Sequence, residues 1–143
     1  MRNVDPEKIG TLVSSIKDAL SRLQDVRELS DTEFLGDRHK QDSAKYNFIV
    51  GIEAAIDVAN HLISRKGFRA PEDYADTFRV LKEADILDNE FSLELEKMAR
   101  FRNRLVHLYW KVDTREIWTI LQTKLGDFER YLSKIGAYLE KNK

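Results

Sequence analysis

The residues best suited to proton transfer and phosphate binding lie in one stretch of the chain, from Lys97 to Val112. This stretch has no acidic residue, although the whole chain carries 24 basic and 25 acidic residues and a formal net charge of −1. Its positive side chains are Lys97, Arg100, Arg102, Arg104 and Lys111, and His107, Tyr109 and Trp110 lie among them. Such a pattern predicts a local electropositive surface suited to phosphate, with rings nearby for a base. The alternative is a solvated basic helix face.

Arg102 and His107 differ in the chemistry that they can perform. An imidazole titrates near neutral pH, so His107 can accept and donate a proton. The guanidinium of Arg102 stays charged and can hold two phosphate oxygens at once. On an ideal helix the two side chains point about 140° apart, so they meet only if the helix unwinds near His107 or a second copy contributes. Asn103 is interpreted either as a hydrogen-bonding group for substrate or as a solvent-exposed residue.

Helical elements must position this stretch, because apolar residues recur at steps of three and four along most of the chain. Asp5 as a cap predicts an opening helix that runs to about Leu29. Ser30 and Glu33 form a capping-box pattern, which predicts a short turn before a second long helix. That second helix should end near Gly67.

The second half of the chain continues the helical pattern. Pro71 is expected to open a shorter helix, and Asp88 to open a further helix that ends between His107 and Val112. From Asp113 onward the apolar spacing predicts one long closing helix. Three or four long amphipathic helices joined by short connections predict an all-α fold, an antiparallel helical bundle with a long first and a long last helix.

Composition sets the broad class. A length of 143 residues with 42% hydrophobic content fits one domain, 1–143, and the chain has no cysteine. The lack of cysteine excludes thiol catalysis and thiolate metal sites, and it suits a reducing cytoplasm. No long apolar run or signal-peptide core is visible, so we expect a soluble, unprocessed cytoplasmic protein without a membrane span. Asp57 and His61, four residues apart, are interpreted as a pair on a helix surface rather than as metal ligands.

A motif in the basic stretch carries a family resemblance. In residues 102–109, four residues separate Arg102 from His107, and one residue separates His107 from Tyr109. This motif resembles the signature of the HepT-like ribonuclease toxins in the HEPN (higher eukaryotes and prokaryotes nucleotide-binding) superfamily. A polar residue after the Arg, here Asn103, and a motif late in an all-helical chain are also typical of that family. The resemblance covers roughly residues 5–141.

The resemblance implies a metal-independent RNA endonuclease of the HEPN fold that needs no cofactor. It also implies a symmetric homodimer in which the motifs of both chains face one cleft. We expect His107 to transfer protons, Arg102 to stabilise the charge that develops on the phosphate, and Asn103 to assist them. Substrate RNA is expected to contact Lys97, Arg100, Arg104 and Lys111. The alternative is a non-catalytic helical module that binds a nucleotide or a nucleotidyltransferase partner.

The resemblance also implies a regulatory role for Tyr109. In HepT-like toxin–antitoxin pairs the antitoxin is a minimal nucleotidyltransferase (MNT) that transfers adenylyl groups from ATP to the motif tyrosine. Adenylates on Tyr109 would bring negative phosphates and bulky bases into a cleft meant for RNA. Two alternatives stay open: neutralisation by binding alone, and a Tyr109 that merely packs at the margin of the bundle with its hydroxyl group in water.

Overall fold

The computed structural model describes residues 3–142, and all regular secondary structure among them is helical. The α-helices are α1 (Pro6–Arg27), α2 (Asp31–Leu35), α3 (Arg38–Lys66), α4 (Tyr74–Glu83), α5 (Asn89–His107), α6 (Thr114–Thr123) and α7 (Gly126–Lys141), and a 3-10 turn spans Tyr109–Lys111. The predicted all-α class is therefore confirmed. No helix in this part of the chain is long and apolar enough to cross a bilayer.

The predicted helix boundaries in the first half of the chain follow from local hydrogen bonds. The carboxylate of Asp5 accepts hydrogen bonds from two amides in the first turn of α1, which also contains Pro6. The predicted capping box is present, with Ser30 and Glu33 each accepting the other's backbone N–H. Gly67 ends α3 in the left-handed conformation, with a φ of 70°.

Helix α3 lies at the centre of the bundle and is buried on most sides. Its C-terminal end meets the start of α1, where the Asp5 amide donates to His61 Nε2 at 3.0 Å. Its N-terminal end meets the end of α5, where Lys45 Nζ donates to the Tyr109 carbonyl oxygen at 2.9 Å. Both pairs are therefore antiparallel, as predicted. At 29 residues α3 is about 44 Å long, and its Phe48 packs edge-on against Phe101 of α5 at a ring-centroid distance of 5.4 Å.

The first difference from the predicted elements concerns Pro71, which does not open a helix. Helix α4 starts three residues later, at Tyr74, because Asp73 is its cap and accepts a hydrogen bond from the Asp76 amide at 2.7 Å. The carboxylate of Asp76 in turn binds the guanidinium of Arg69. This ion pair closes the segment before α4 into a loop.

The second difference is that the closing segment forms two helices, α6 and α7. The hydroxyl groups of Thr119 and Thr123 donate hydrogen bonds to carbonyl oxygens four residues earlier, at 3.0 and 2.7 Å. Hydrogen bonds of this kind often bend helices. The break at Leu125 and Gly126 turns Leu125 into the core, where it is 2% exposed. Apolar spacing continues through the break, so periodicity alone could not reveal it.

The sequence interpretation of His61 as a surface partner of Asp57 is wrong. His61 is 8% exposed, and its Nε2 accepts the Asp5 amide instead. Burial lowers the pKa of His61, and the nearby charge of Arg65 lowers it further. The neutral ring is thus the form that holds the start of α1 against the end of α3.

This contact predicts a pH dependence of stability. Because the folded-state pKa of His61 is lowered, its contribution to stability is complete above about pH 6.5 and declines as the pH falls below that value. We expect the urea midpoint of the native chain to fall more between pH 7.5 and pH 5.0 than that of His61→Gln, which does not titrate. The matched control is His39→Gln at the exposed start of α3, which should keep the native pH dependence. Equal pH dependence in the native chain and His61→Gln would contradict this account.

Candidate functional site

Four of the predicted site residues share one face of α5. Lys97, Arg100 and Arg104 line a groove of about 370 Å³ between α5 and α6, and His107 follows one turn after Arg104. Their spacings of three, four and three residues place the four side chains within an arc of about 80°. We call these four residues the basic face. The groove has an apolar floor, formed by Met98, Phe101 and Ile120.

The basic face is less positive than the sequence predicts. Carboxylates from neighbouring turns and helices pair with its cations and with Arg102: Lys97 with Glu94 at 3.2 Å, Arg100 with Glu96 at 3.6 Å, Arg102 with Glu53 at 2.6 Å and Arg104 with Glu116. Lys111 is exposed, away from the groove, and forms no ion pair within residues 3–142. An RNA phosphate that binds these cations would compete with the carboxylates for them.

His107 is the last residue of α5 and its side chain is exposed. In the part of the chain that the structure describes, its ring forms no hydrogen bond or ion pair. The backbone leaves the helix directly after it, at Leu108. The imidazole is therefore open to an incoming substrate, as proton transfer to or from that substrate requires.

Arg102 lies in a crevice on a different side of α5. Its side chain is only 13% exposed, and its Nε and Nη2 atoms donate to Glu53 Oε1 at 3.1 and 2.6 Å. The guanidinium also lies 5.0 Å from the ring centroid of Tyr74. We call this space of about 140 Å³ the Arg102 crevice; it is lined by Arg102, Glu53, Ile56, Asp57 and Tyr74.

Asn103 connects the Arg102 crevice with the basic face. Arg102 Nη1 donates to Asn103 Oδ1 at 3.1 Å. Since arginine has no acceptor, this bond orients the amide so that its NH₂ group remains available to donate elsewhere. Asn103 also precedes His107 by one helical turn. Its side chain therefore lies between the two motif residues, in a position that favours the substrate-binding interpretation over the solvent-exposed one.

Arg102 and His107 do not contact each other within residues 3–142. Helix α5 stays helical through His107, so the two side chains keep their separation of about 140° around the axis. Unwinding of the helix, one of the two ways in which they could meet, is therefore absent. The other way is a second copy of the chain.

Tyr109 is held by two residues of α3. Its hydroxyl group donates to Asp42 Oδ1 at 2.7 Å, and its carbonyl oxygen accepts from Lys45 Nζ at 2.9 Å. Lys45 Nζ also lies 4.3 Å from the Tyr109 ring centroid. We call Asp42 and Lys45 the Tyr109 cradle. The adjacent Trp110 packs edge-on against the Tyr109 ring and is 81% exposed, so it is not part of the core.

The hydroxyl group of Tyr109 donates its hydrogen bond to the protein, contrary to the interpretation as a tyrosine at the margin of the bundle with its hydroxyl group in water. Burial raises the pKa of Tyr109 to about 12, and the hydrogen bond and charge of Asp42 contribute to this rise. The phenol is therefore protonated at neutral pH. It becomes a good nucleophile only if a neighbouring group takes its proton.

Three residues of this site, all on α3, were not found from the sequence: Asp42, Lys45 and Glu53. One signal was present, because Lys45 lies three residues before Phe48 and seven before Ile52, in a buried row of α3. A charged residue in such a row requires a partner. Across residues 3–142, no three His, Asp or Glu side chains come close enough together to hold a metal ion.

Comparisons with known proteins agree with the motif. A family model described as "Ribonuclease HepT-like" matches residues 16–135. A relative named mRNA nuclease HepT, from Shewanella oneidensis, is 30% identical over 125 residues, which are 87% of this chain and 93% of the relative. A tRNA nuclease HepT from Aphanizomenon flos-aquae is 26% identical over 141 residues, which are 97% of this chain and 95% of that protein.

A solved structure extends these similarities to the fold. It contains a tri-AMPylated Shewanella oneidensis HEPN toxin in complex with an MNT antitoxin. The toxin superimposes with a TM-score of 0.86 at 29% sequence identity, over 93% of this chain and 99% of that chain. The arrangement of seven helices described above is therefore the arrangement of a known toxin.

Proposed function

Because the chain belongs to the HepT-like ribonuclease family, we propose that it is the toxin of a toxin–antitoxin pair and an RNA endonuclease. Its antitoxin is a minimal nucleotidyltransferase, which adenylylates Tyr109. The catalytic part of the proposal rests on the exposed imidazole of His107, one helical turn beyond a groove that is lined by Lys97, Arg100, Arg104 and one further lysine, Lys124. RNA and ATP are both present in the cytoplasm, which is the compartment that we propose.

The proposed reaction uses groups of the RNA and of this chain. The 2′-oxygen of a ribose attacks the adjacent phosphorus, the bond from phosphorus to the 5′-oxygen breaks, and a 2′,3′-cyclic phosphate and a 5′-hydroxyl group result. His107 transfers the protons, and the guanidinium of Arg102 stabilises the negative charge on the phosphorane. Asn103 donates a hydrogen bond to the phosphate or to the 2′-hydroxyl group. No metal ion or cofactor takes part.

A homodimer places the two catalytic groups together. Because Arg102 and His107 point about 140° apart on one helix, we propose that a symmetric dimer combines Arg102 of one copy with His107 of the other. Exposed apolar side chains beside the motif support this contact, because they are suited to an interface: Val106, Leu108 and Trp110.

The first test is RNA cleavage in the presence of EDTA. The purified chain should cut single-stranded RNA at an unchanged rate when EDTA is added, because the reaction uses only side chains and the 2′-hydroxyl group. Analysis of the fragments should show 2′,3′-cyclic phosphate ends. An intact RNA would instead favour the non-catalytic module, in which Arg102→Ala alters only the affinity for a nucleotide or a partner protein.

The basic face predicts a salt dependence of RNA binding. Measured in a His107→Ala background that does not cut the RNA, Arg100→Ala should weaken RNA binding. It should also reduce the slope of log affinity against log salt concentration by about 0.7, the value for one single-strand phosphate contact. Lys17→Ala, an exposed residue on α1, is the matched control and should leave the slope unchanged. Fluorescence anisotropy at several salt concentrations measures both effects. Equal slopes for the native chain and Arg100→Ala would show that Arg100 does not contact an RNA phosphate.

A further inference from the structure

The Tyr109 cradle contains a carboxylate whose function the RNA cleavage reaction does not explain. We propose that Asp42 is the base that takes the proton of Tyr109 during adenylyl transfer, and that this chain thus supplies a catalytic residue for its own modification. This inference rests on the proposed function, in which Tyr109 is the acceptor of the adenylyl group.

The proposed proton acceptor, Asp42, already lies beside the Tyr109 hydroxyl group before ATP binds. Asp42 Oδ1 lies 2.7 Å from the Tyr109 hydroxyl oxygen and already accepts its hydrogen bond. This distance is within the range required of a general base. Asp42 belongs to α3, the central helix, so its carboxylate lies on a rigid element.

The chemistry of Tyr109 requires such a base. With a pKa of about 12, only about one phenol in 10⁵ is ionised at pH 7 without assistance. A neutral phenol is a weak nucleophile, and its proton has to leave as the bond to phosphorus forms. The same carboxylate that favours the protonated phenol at rest therefore receives the proton in the transition state.

The transfer step balances with ATP as the co-reactant. The Tyr109 hydroxyl oxygen attacks the α-phosphorus of ATP, and the bond between that phosphorus and the bridging oxygen of the β-phosphate breaks. Pyrophosphate leaves with the electron pair of that bond. The phenolic proton passes to Asp42 Oδ1 and later to water. The product is an adenylate ester on Tyr109.

Lys45 positions the nucleophile without touching the reacting atom. Its Nζ atom holds the Tyr109 carbonyl oxygen and lies over the ring, and the residue is buried. These contacts fix the 3-10 turn against α3, so that the hydroxyl group stays beside Asp42. Lys45 is therefore a positioning residue.

The test compares initial rates of adenylate incorporation from labelled ATP, with the full chain and its cognate nucleotidyltransferase. Asp42→Asn keeps an oxygen that accepts the Tyr109 hydrogen bond but removes its basicity, so the rate at pH 7 should fall by about 10²–10⁴-fold. Its remaining rate should rise about tenfold per pH unit between pH 7 and pH 10, because hydroxide then has to ionise the phenol. Asp42→Glu, which retains a carboxylate, should recover part of the lost rate.

Controls separate this inference from the proposed function. Asp18→Asn, the same change at an exposed position on α1, should behave as the native chain, and thermal melting checks that each variant folds. Native-like incorporation by Asp42→Asn at pH 7, or an equal loss in Asp42→Asn and Asp42→Glu at every pH, would overturn the role of Asp42 alone. Incorporation by Tyr109→Phe at the native rate, or none by the native chain, would overturn Tyr109 as the acceptor, and the role of Asp42 with it.

Discussion

Replacement of His107 by alanine should lower the rate of RNA cleavage by about 10²–10⁴-fold, the usual contribution of a general acid–base group. The ring makes no hydrogen bond or ion pair within residues 3–142 and is exposed. Its removal should therefore leave the melting temperature within about 2 °C of the native value, because surface changes away from structural contacts rarely exceed about 0.5 kcal/mol. Single-turnover cleavage of a labelled RNA and thermal melting measure the two quantities.

His39→Ala is the matched control for this loss. His39 is also an exposed histidine on a helix, but it lies in the first turn of α3 and outside the motif. Its replacement should change neither the cleavage rate nor the melting temperature. A His107→Ala chain that cuts RNA as fast as His39→Ala does would exclude proton transfer by His107.

Arg102→Lys should lower the cleavage rate by about 10²–10³-fold, although it keeps the positive charge. The reason is geometric, because an ammonium group cannot reproduce the planar fork that holds Glu53 and Asn103 and that can bind two phosphate oxygens. The effect should fall on the chemical step, since Arg102 is proposed to bind the charge that develops during the reaction. Single-turnover rates at saturating enzyme isolate that step.

A matched arginine distinguishes this effect from a general loss of charge. Arg22→Lys, at an exposed position on α1, should cleave RNA at the native rate. Arg102→Ala is a second variant, and it should also lose stability, because it leaves Glu53 without its partner at the Arg102 crevice. If Arg102→Lys proved as active as Arg22→Lys, the bidentate role of Arg102 would be wrong.

The sequence predicted the fold from signals that are local in the chain. The Asp5 cap, the capping box at Ser30 and the stop at Gly67 depend on hydrogen bonds within a few residues, and the structure contains all three. The break between α6 and α7 was missed because Leu121, Leu125 and Phe128 are buried on both sides of it, so the apolar spacing is continuous.

The site was predictable only along α5. The motif residues are close in the chain, so their spacing alone predicted that His107 and Arg102 lie on different faces of the helix. The partners that hold Arg102 and Tyr109 come from α3, where Glu53 lies 49 residues before Arg102 and Asp42 lies 67 residues before Tyr109. No pattern in a single sequence pairs residues at such separations. The basic face was expected to be more positive than it is because its carboxylate partners Glu94, Glu96 and Glu116 lie just outside the stretch from Lys97 to Val112.

Helix α3 holds both the residue proposed to act in RNA cleavage and the residue proposed to accept adenylates. Glu53 holds Arg102 and Asp42 holds Tyr109, and eleven residues of one helix, about 16 Å, separate these contacts. Arg102 and Tyr109, the proposed catalytic arginine and the proposed acceptor tyrosine, are thus fixed to the same rigid element. Adenylates attached at Tyr109 would therefore lie close to the proposed RNA-binding site without any change of fold, and their phosphates would repel the substrate.

A mixed dimer distinguishes a catalytic site formed by Arg102 of one copy and His107 of the other from a site within a single chain. Arg102→Ala and His107→Ala chains with different affinity tags are co-expressed, and the mixed dimer is isolated by two successive purifications. Each variant alone should be inactive, but the mixed dimer contains one site with both native residues, so it should cleave RNA at up to about half the native rate. A mixed dimer as inactive as either parent would contradict the account.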